Sequence, residues 1–283
     1  HMRDLDLARR TVIDGDFSVF EMLYDNPPHV LSELIRTAFI PSDGRRFIVS
    51  DFSAIEARVL SYLADEQWRI DVFKTHGKIY EASAAQMFKV PIESIKKGDP
   101  LRQKGKIAEL ALGYGGSVGA MVSMGALKQG LKEEELQPIV DSWRAANPKI
   151  TAFWRTVEKA AIDAVNGKPS KINHGISFIK QSGILFGGLP SGRRLAYVKP
   201  RIETNKFGRP ALTYEGQNQT KKSWERLETF GGKLTENIVQ AFSRDCLAES
   251  IIRLEDLGYE INMHVHDEVV IDAPIGWSSA DEV

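Results

Sequence analysis

Residues 261–272 have the sequence "INMHVHDEVVID". Apolar residues alternate with polar ones and then run on continuously, a pattern typical of a strand hairpin, yet two histidines and two acids interrupt its centre. These four residues are His264, His266, Asp267 and Glu268. A buried carboxylate without a partner is costly, so the acids require either an exposed turn or a cation that pairs with them. The hairpin pattern alone leaves both possibilities open.

A second acid follows a strand-like segment far upstream. Phe47–Val49 is an apolar run, and Asp51 comes just after it in "FIVSDFSAIEARVLSYLADE", residues 47–66. Ser53, with Glu56 three residues later, fits the spacing of a capping box and predicts that a helix begins there. Asp51 is therefore expected at a strand-to-helix junction, where a carboxylate can be exposed.

Two strands that lie side by side would bring Asp51 and Asp267 within reach of shared divalent cations. A two-metal site needs hard oxygen ligands around cations about 3.5–4 Å apart. In a plainer interpretation, Asp51 only begins a turn and Asp267 only caps a hairpin. The residues alone favour neither interpretation.

A basic helix is predicted at "RQKGKIAELALGYGG", residues 102–116. Arg102 and Lys106 are four residues apart and so share one helix face, where an Arg fork and a Lys point charge suit a triphosphate. Tyr114 follows, with its ring beside a flexible glycine backbone. A solvated basic helix is a common alternative, and the spacing alone leaves it open.

The bulk composition gives few constraints. The chain has 283 residues, with 37 basic against 38 acidic side chains, so any polyanion site must arise from local clustering. The one cysteine, Cys246, excludes an internal disulfide framework and fits a reducing compartment. No apolar run approaches about 18 residues and no signal peptide is evident, so we expect a soluble, cytoplasmic chain with no membrane partner.

The periodicity predicts a helical middle between strand-containing ends. Residues 67–165 are mostly helical, with a break at Asn147-Pro148, and glycine, proline and short strands dominate from about 170 to 226. A long helix follows from about 233 to 256, before the opening hairpin. This order predicts an α+β fold with the helical part inserted.

Three segments, in order, resemble motifs A, B and C of the family A DNA polymerases, the DNA polymerase I group. They are "DFSAIEARVLSYLADE" (51–66), "RQKGKIAELALGYGG" (102–116) and "HVHDEVV" (264–270). The resemblance spans roughly residues 30–275, and the type it resembles is the bacteriophage or prophage polymerase. It implies a right-hand polymerase palm, made of an antiparallel sheet, with a mainly helical fingers insertion. The activity it implies is DNA-templated addition of deoxynucleotides to a primer 3′ end.

The resemblance also implies a division of the chain. Residues 1–35 would lead into the palm, and 36–66 would form its first part with motif A. Residues 67–226 would be the fingers with motif B and a strand-rich return, and 227–283 the second part of the palm with motif C. No thumb or exonuclease domain is expected before residue 30, so we expect a monomeric palm-and-fingers piece of a longer protein, acting in a bacterial host cell.

The catalytic roles implied by the resemblance concern two metal ions and a triphosphate. Asp51 and Asp267 would hold two Mg2+ ions, with the backbone carbonyl of Phe52 as a further ligand. Arg102 and Lys106 would bind the incoming deoxynucleoside triphosphate. Lys106 would also donate a proton to the leaving pyrophosphate. The opening stretch is then a hairpin whose turn presents Asp267 to magnesium.

Further nucleotide contacts follow from the same resemblance. Tyr114 would stack at the nascent base pair, and Glu56 would lie under the nucleotide sugar. Leu110 stands where the family usually has Phe or Tyr at the sugar, and Tyr80 stands where a His usually touches the triphosphate. Both departures lie at positions that the resemblance assigns to the selection of sugar and base. Ala54 replaces a commoner Gln.

Contacts with primer-template DNA are implied for three residues. Arg36 would contact a phosphate, Gln240 would lie on the helix along the template and primer, and His266 would contact the primer end. Asp245 fits the same helix as Gln240, and Glu268 would support the metal site. The Asn usually found one turn before the template-helix Gln is replaced, because Glu236 stands there and Asn237 is shifted by one.

Three alternatives remain beside the polymerase. A metal-dependent hydrolase would use His264, His266 and Asp267 as zinc ligands, although further ligands at metal spacing are hard to find. A non-catalytic or barely active DNA-binding piece is the second alternative. A single-subunit RNA polymerase is the third, and Glu56 and Tyr114 in their motif contexts favour deoxynucleotides over it.

Overall fold

The computed structural model describes residues 5–205 and 208–283. Its helices are α1 Leu5–Ile13, α2 Phe17–Leu23, α3 Pro27–Leu34, α4 Ile55–Leu63, α5 Gln67–Thr75, α6 Ile79–Phe88, α7 Pro100–Leu112, α8 Val118–Ser123, α9 Glu133–Ala146, α10 Pro148–Val165 and α11 Gly231–Asp256. Its strands are β1 Arg45–Asp51, β2 Ser170–Lys171, β3 Ser177–Gln181, β4 Ile184–Gly188, β5 Arg194–Thr204, β6 Pro210–Gln217, β7 Trp224–Thr229, β8 Ile261–Val265 and β9 Glu268–Pro274. The predicted α+β class is confirmed, because helices combine with antiparallel sheets.

The chain folds into two compact units. One comprises the described residues up to Asp51 together with Ser250–Val283, and the other is Phe52–Glu249. The first unit contains α1 to α3 and a three-stranded sheet in the order β1-β9-β8. None of the helices in the described ranges is both long enough and apolar enough to cross a membrane.

The sheet of the first unit contains both predicted strand regions. The apolar run Phe47–Val49 lies within β1, and the opening stretch forms the hairpin of β8 and β9, so both predictions are confirmed. Strand β9 is the central strand and is buried from Val269 to Ala273, which explains the apolar run Val269–Ile271. It pairs antiparallel with β1 from Arg45 opposite Pro274 to Asp51 opposite Glu268.

The second unit packs a helical bundle against a six-stranded antiparallel sheet. The sheet runs in chain order from β2 to β7, and its strands lie mostly in the segment of about residues 170–226 where the sequence predicts short strands. Its core joins helix and sheet residues, among them Leu60, Leu112, Trp143, Ile150, Val157, Phe178, Leu185 and Leu234. The helix break predicted at Asn147-Pro148 separates α9 from α10, and the predicted long helix is α11.

The first turn of α10 is capped by a residue that is distant in sequence. The Glu66 carboxylate accepts hydrogen bonds from the backbone N–H groups of Lys149 and Ile150, at 2.8 and 3.2 Å.

The start of α4 differs from the prediction. The residue before the helix is Ala54, which has left-handed φ and ψ of 52° and 46°, and no side chain caps this end. The Ser53 carbonyl instead accepts a hydrogen bond from Arg58 Nε at 2.7 Å. The capping box of Ser53 and Glu56 is therefore wrong, because the chain leaves β1 through a tight left-handed turn that places Ser53 one residue too early.

Candidate functional site

Three acids gather at one end of the sheet in the first unit. Asp51 is the last residue of β1 and lies opposite Glu268, the first residue of β9. Asp267 lies in the tight turn between β8 and β9, next to His266, whose φ of 55° is left-handed. We call Asp51, Asp267 and Glu268 the carboxylate edge. Two segments more than 200 residues apart therefore deliver their acids to one place, as their strand patterns indicate.

Burial and like charges act together on the carboxylate edge. Partial burial raises the pKa of Asp51, and the negative charges of Asp267 and Glu268 raise it further. A side-chain hydrogen bond joins Asp51 to Asp267 and acts in the same direction. Arg36 acts in the opposite direction, and its Nη1 lies 3.1 Å from Glu268 Oε2. The edge therefore favours a compensating positive charge.

The donors of this edge fit magnesium. Within residues 5–205 and 208–283, no group of three or more His, Cys, Asp and Glu side chains is arranged to hold a metal ion by itself. Magnesium is commonly bound by one or two carboxylates, with waters and substrate phosphates completing its shell. Two adjacent carboxylates whose repulsion a cation would relieve suit this mode. The zinc alternative requires His264, His266 and Asp267 to form such a group, and they do not.

The predicted DNA-contacting residues of the first unit lie close to this edge in the fold. His266 is exposed in the turn beside Asp267, and Arg36 is exposed in a 3-10 turn that follows α3. The guanidinium of Arg36 pairs with the Glu268 carboxylate. Arg36 is thus a partner of the carboxylate edge as well as a candidate phosphate contact.

Helix α7 of the second unit carries the basic residues. Asp99 caps its start by accepting the Leu101 backbone N–H at 2.7 Å, and Pro100 occupies the first turn. Arg102, Lys106 and Leu110 follow one another at four-residue intervals on the less buried side, and Leu110 is 44% exposed. We call these three residues the α7 stripe. Sequence spacing alone predicted the first two members.

The Arg102 guanidinium is oriented by two neighbours on α6. Its Nε donates to Glu81 Oε1 at 2.7 Å, and its Cζ lies 5.5 Å from the centre of the Tyr80 ring. Helices α6 and α7 are in close contact, since a Cβ on Gly105 would lie 2.2 Å from the Tyr80 carbonyl oxygen. Glu81 was missed at the level of sequence, because no local pattern indicates which helix packs on α7.

Tyr114 lies at the end of α7 close to Glu56 on α4. Burial raises the pKa of the Tyr114 hydroxyl, and the negative charge of Glu56 raises it further. Glu56 also contributes to the raised pKa of Tyr80, which is mainly an effect of burial. The second unit thus brings together three of the residues that the resemblance assigns to nucleotide binding. The glycines after Tyr114 are needed for packing, because a Cβ on Gly116 would lie 1.9 Å from the Ala111 carbonyl oxygen.

Helix α11 presents the predicted template-side residues. Gln240 is exposed and contacts Glu236 at 3.5 Å, while Asn237 donates to the Tyr197 hydroxyl at 3.1 Å. Asp245 has structural partners, because it accepts hydrogen bonds from Ser191 and Arg193 in the turn between β4 and β5. Of these residues, Gln240 presents the most exposed side chain for a DNA contact.

The fold is that of a polymerase domain. The polymerase domain of Pol1 from M. smegmatis, solved in complex with DNA primer-template and dNTP, matches with a TM-score of 0.58 and 20% identity, over 86% of this chain and 36% of that one. Residues 28–168 match DNA polymerase family A. The DNA polymerase of Bacillus phage SP02 is 61% identical over 284 residues, covering 100% of this chain and 44% of the relative. The thermostable DNA polymerase I of Thermus aquaticus is 26% identical over 86% of this chain and 24% of the relative.

The chain belongs to DNA polymerase family A. It spans less than half the length of these curated relatives. The family predicted from the three ordered motifs is confirmed, and so is the likeness to a phage polymerase.

Proposed function

We propose that this chain is the core of a DNA-templated DNA polymerase, which adds deoxynucleotides to a primer 3′ end by two-metal nucleotidyl transfer. The observation that carries the proposal is the junction of Asp51 and Asp267 at the end of the β1-β9-β8 sheet. The 61% identity to a phage DNA polymerase supports it. The polymerase domain of similar fold was solved with DNA primer-template and dNTP, which supports these partners here.

Asp51 and Asp267 would hold two Mg2+ ions, with the backbone carbonyl of Phe52 as a further ligand. When bound, such ions lower the pKa of the attacking 3′-hydroxyl and neutralise charge on the leaving pyrophosphate. The chain contributes the placement of the carboxylates, which the paired strands β1 and β9 fix. Arg36 partly neutralises the charge of Glu268 through their ion pair. Glu268 therefore repels Asp51 and Asp267 less than an unpaired carboxylate would.

The α7 stripe would bind the triphosphate. Arg102 is held at its Nε by Glu81, which aims the guanidinium, and Lys106 adds a point charge one turn further along. Lys106 donates a proton to the pyrophosphate as the bond to the α-phosphate breaks. Tyr80 supports the Arg102 guanidinium with its ring. Catalysis then rests mostly on positioning and electrostatics.

The other residues select the sugar and the DNA. Tyr114 stacks at the nascent base pair, Glu56 lies under the sugar, and Leu110 gives the sugar an apolar neighbour. Contacts with primer and template are assigned to Arg36, Gln240 and His266. We assign residues 36–66 and 227–283 to the palm, 67–226 to the fingers and 1–35 to the lead-in. The chain acts as a monomer in the cytoplasm of a bacterial host.

A primer-extension assay tests this function. The chain is incubated with labelled primer-template, Mg2+ and either deoxynucleotides or ribonucleotides. We expect template-directed extension with deoxynucleotides that Asp51→Asn and Asp267→Asn each abolish. Extension that survives both substitutions would contradict the proposal. DNA binding without extension would favour the non-catalytic alternative, and retained zinc after dialysis would favour the hydrolase.

A further inference from the structure

A buried ion pair lies inside the helical part of the second unit, and the proposed chemistry does not use it. Arg69 on α5 is fully buried and Glu109 on α7 is 7% exposed. Arg69 Nη1 lies 2.9 Å from Glu109 Oε1, and Nη2 donates to the other carboxylate oxygen. Arg69 also donates to Ser61 Oγ at 2.9 Å and to Asn147 Oδ1 at 3.1 Å. The guanidinium therefore connects α5, α4 and the junction between α9 and α10 to α7.

Glu109 receives hydrogen bonds from two further helices. The Ser83 hydroxyl on α6 and the Trp143 indole on α9, at 2.9 Å, both donate to its Oε1. Burial acts to raise the pKa of the Glu109 carboxyl, but the charge and hydrogen bonds of Arg69 hold that pKa below its usual value. An ionised carboxylate with donors from three directions has one permitted orientation.

The position of Glu109 on α7 links this network to the stripe. Glu109 immediately precedes Leu110 and follows Lys106 by three residues, so it lies at the border between the buried side and the α7 stripe. Half of the buried residues of α7 are small, namely Gly105, Ala108 and Ala111. The close contact at Gly105 sets the distance between α6 and α7, and the hydrogen bonds of Glu109 add a directional constraint to it.

A buried ion pair is poor evidence for a role in stability. Replacing such a pair with apolar residues of similar volume often leaves stability unchanged or raises it. What the pair supplies in addition is direction, because charged hydrogen bonds tolerate little misalignment. The network is therefore better suited to fixing the orientation of α7 than to holding the unit together.

We propose that Glu109 and Arg69 are a positioning pair, which sets the rotation of α7 about its axis and so presents Arg102 and Lys106 to the triphosphate. This inference rests on the proposed polymerase function of the same helix. Both residues are buried within the second unit, away from solvent. Their effect is transmitted through the placement of the α7 stripe.

The rotation is tested first without any enzymatic assay. The background is Cys246→Ala, which removes the native thiol. Leu110→Cys then places a thiol on the exposed side of α7, and Ile107→Cys places one on its buried side. In the native chain Leu110 is 44% exposed and Ile107 is 3% exposed. The ratio of their maleimide reaction rates is measured with the pair intact and in the double variant Arg69→Met/Glu109→Leu. We expect that ratio to fall by about tenfold or more. An unchanged ratio in the folded double variant would overturn the proposal.

The second measurement is steady-state incorporation by the double variant in the native cysteine background. We expect the KM for deoxynucleotide to rise by about tenfold or more, because misplaced binding groups lose their effective alignment, while primer-template affinity stays the same. The matched control is Lys159→Met/Asp163→Leu, which removes an exposed ion pair on α10. Equal KM values in the double variant, the control and the native chain would show that Arg69 and Glu109 have only a structural role, and would contradict the proposal.

The two measurements separate the failure of this inference from failure of the proposed function. A native chain that incorporates nothing refutes the function, while the thiol rates still report on α7. If circular dichroism shows that the double variant is unfolded, Glu109→Gln takes its place, since it keeps the shape and removes the charge. Native-like thiol rates and KM in folded Glu109→Gln would then overturn the inference.

Discussion

Asp51 ends β1 directly opposite Glu268, the residue that begins β9, and this register places Asp51 beside the turn that carries Asp267. A shift of the register by one residue would turn Asp51 to the other face of the sheet. Ile48 of β1 opposes such a shift, because it is 4% exposed while its neighbour Val49 is 46% exposed, so the shift would turn a buried apolar side chain to solvent. The packing of the sheet thus maintains an electrostatically unfavourable cluster of acids.

Neutralising either central acid should abolish activity and preserve the fold. Asp51→Asn and Asp267→Asn each remove a proposed metal ligand and also relieve the like-charge repulsion that, together with burial, raises the pKa of Asp51. We therefore expect loss of nucleotide incorporation together with a melting temperature equal to or above that of the native chain. Primer extension and thermal unfolding measure both effects. Asp43→Asn, at an exposed position of the same unit, is the control and should leave both unchanged.

The ion pair of Arg36 and Glu268 should tune the magnesium requirement. Arg36→Ala removes a positive charge from the carboxylate edge, so the Mg2+ concentration for half-maximal incorporation should fall by about two- to fivefold, the range of an exposed charge pair. Arg36→Ala/Glu268→Gln should return it towards the native value. Titration of Mg2+ at saturating primer-template separates this effect from lost DNA contacts. A higher magnesium requirement in Arg36→Ala would contradict this electrostatic role.

The strands and the helix breaks were predictable because their signals are local. The alternation around Asp267 and the apolar run before Asp51 indicate two strands, and Asn147-Pro148 indicates a helix boundary. The left-handed turn at Ala54 has no such signal, because alanine at positive φ is unusual and the capping-box spacing favours an earlier start.

The network partners could not be predicted for a different reason. Glu81 and Arg102 are 21 residues apart, and Arg69 and Glu109 are 40 apart, so their pairing depends on how helices pack. In the sequence, Glu109 resembles any acid of an amphipathic helix. Only the three-dimensional arrangement shows that it is buried and paired.

Removing the two cations of the α7 stripe should change different kinetic parameters. Arg102→Ala should mainly raise the KM for deoxynucleotide, since it removes a guanidinium that can donate two hydrogen bonds to phosphate oxygens. Lys106→Ala should mainly slow the chemical step, by about 10²–10⁴-fold if it donates the proton. Single-turnover incorporation over a range of nucleotide concentrations distinguishes the two effects. Lys104→Ala, on the same helix but next to the Phe88 ring, is the matched control and should change neither.

The sheet of the first unit should weaken in acid through Asp272. The Ser42 hydroxyl donates to Asp272 at 2.7 Å and, with Arg45, holds the pKa of this carboxyl below its usual value. A folded-state pKa below the unfolded value of about 3.9 means that ionised Asp272 adds stability above that pH and loses it as the pH falls through the folded-state pKa. Asp272→Asn should thus lower the melting temperature at pH 7 and make less difference near about pH 3. Asp14→Asn, an exposed acid of the same unit, should show no such convergence.

The choice between sugars should depend on Glu56. The structure removes the alternative that Glu56 only closes a capping box, because Ala54 precedes α4 with no side-chain cap, and it brings Glu56 close to Tyr114 instead. In the proposed site a carboxylate at that position would crowd a 2′-hydroxyl, and the exposed Leu110 lacks an aromatic ring that would share this task. Glu56→Ala should therefore raise ribonucleotide insertion relative to deoxynucleotide insertion by about tenfold or more, the effect of losing one steric contact. Single-nucleotide insertion with both sugars measures this ratio, and Leu110→Phe in the Glu56→Ala background should restore part of the discrimination. An unchanged ratio in Glu56→Ala would show that this carboxylate supports Tyr114 and has no part in selecting the sugar.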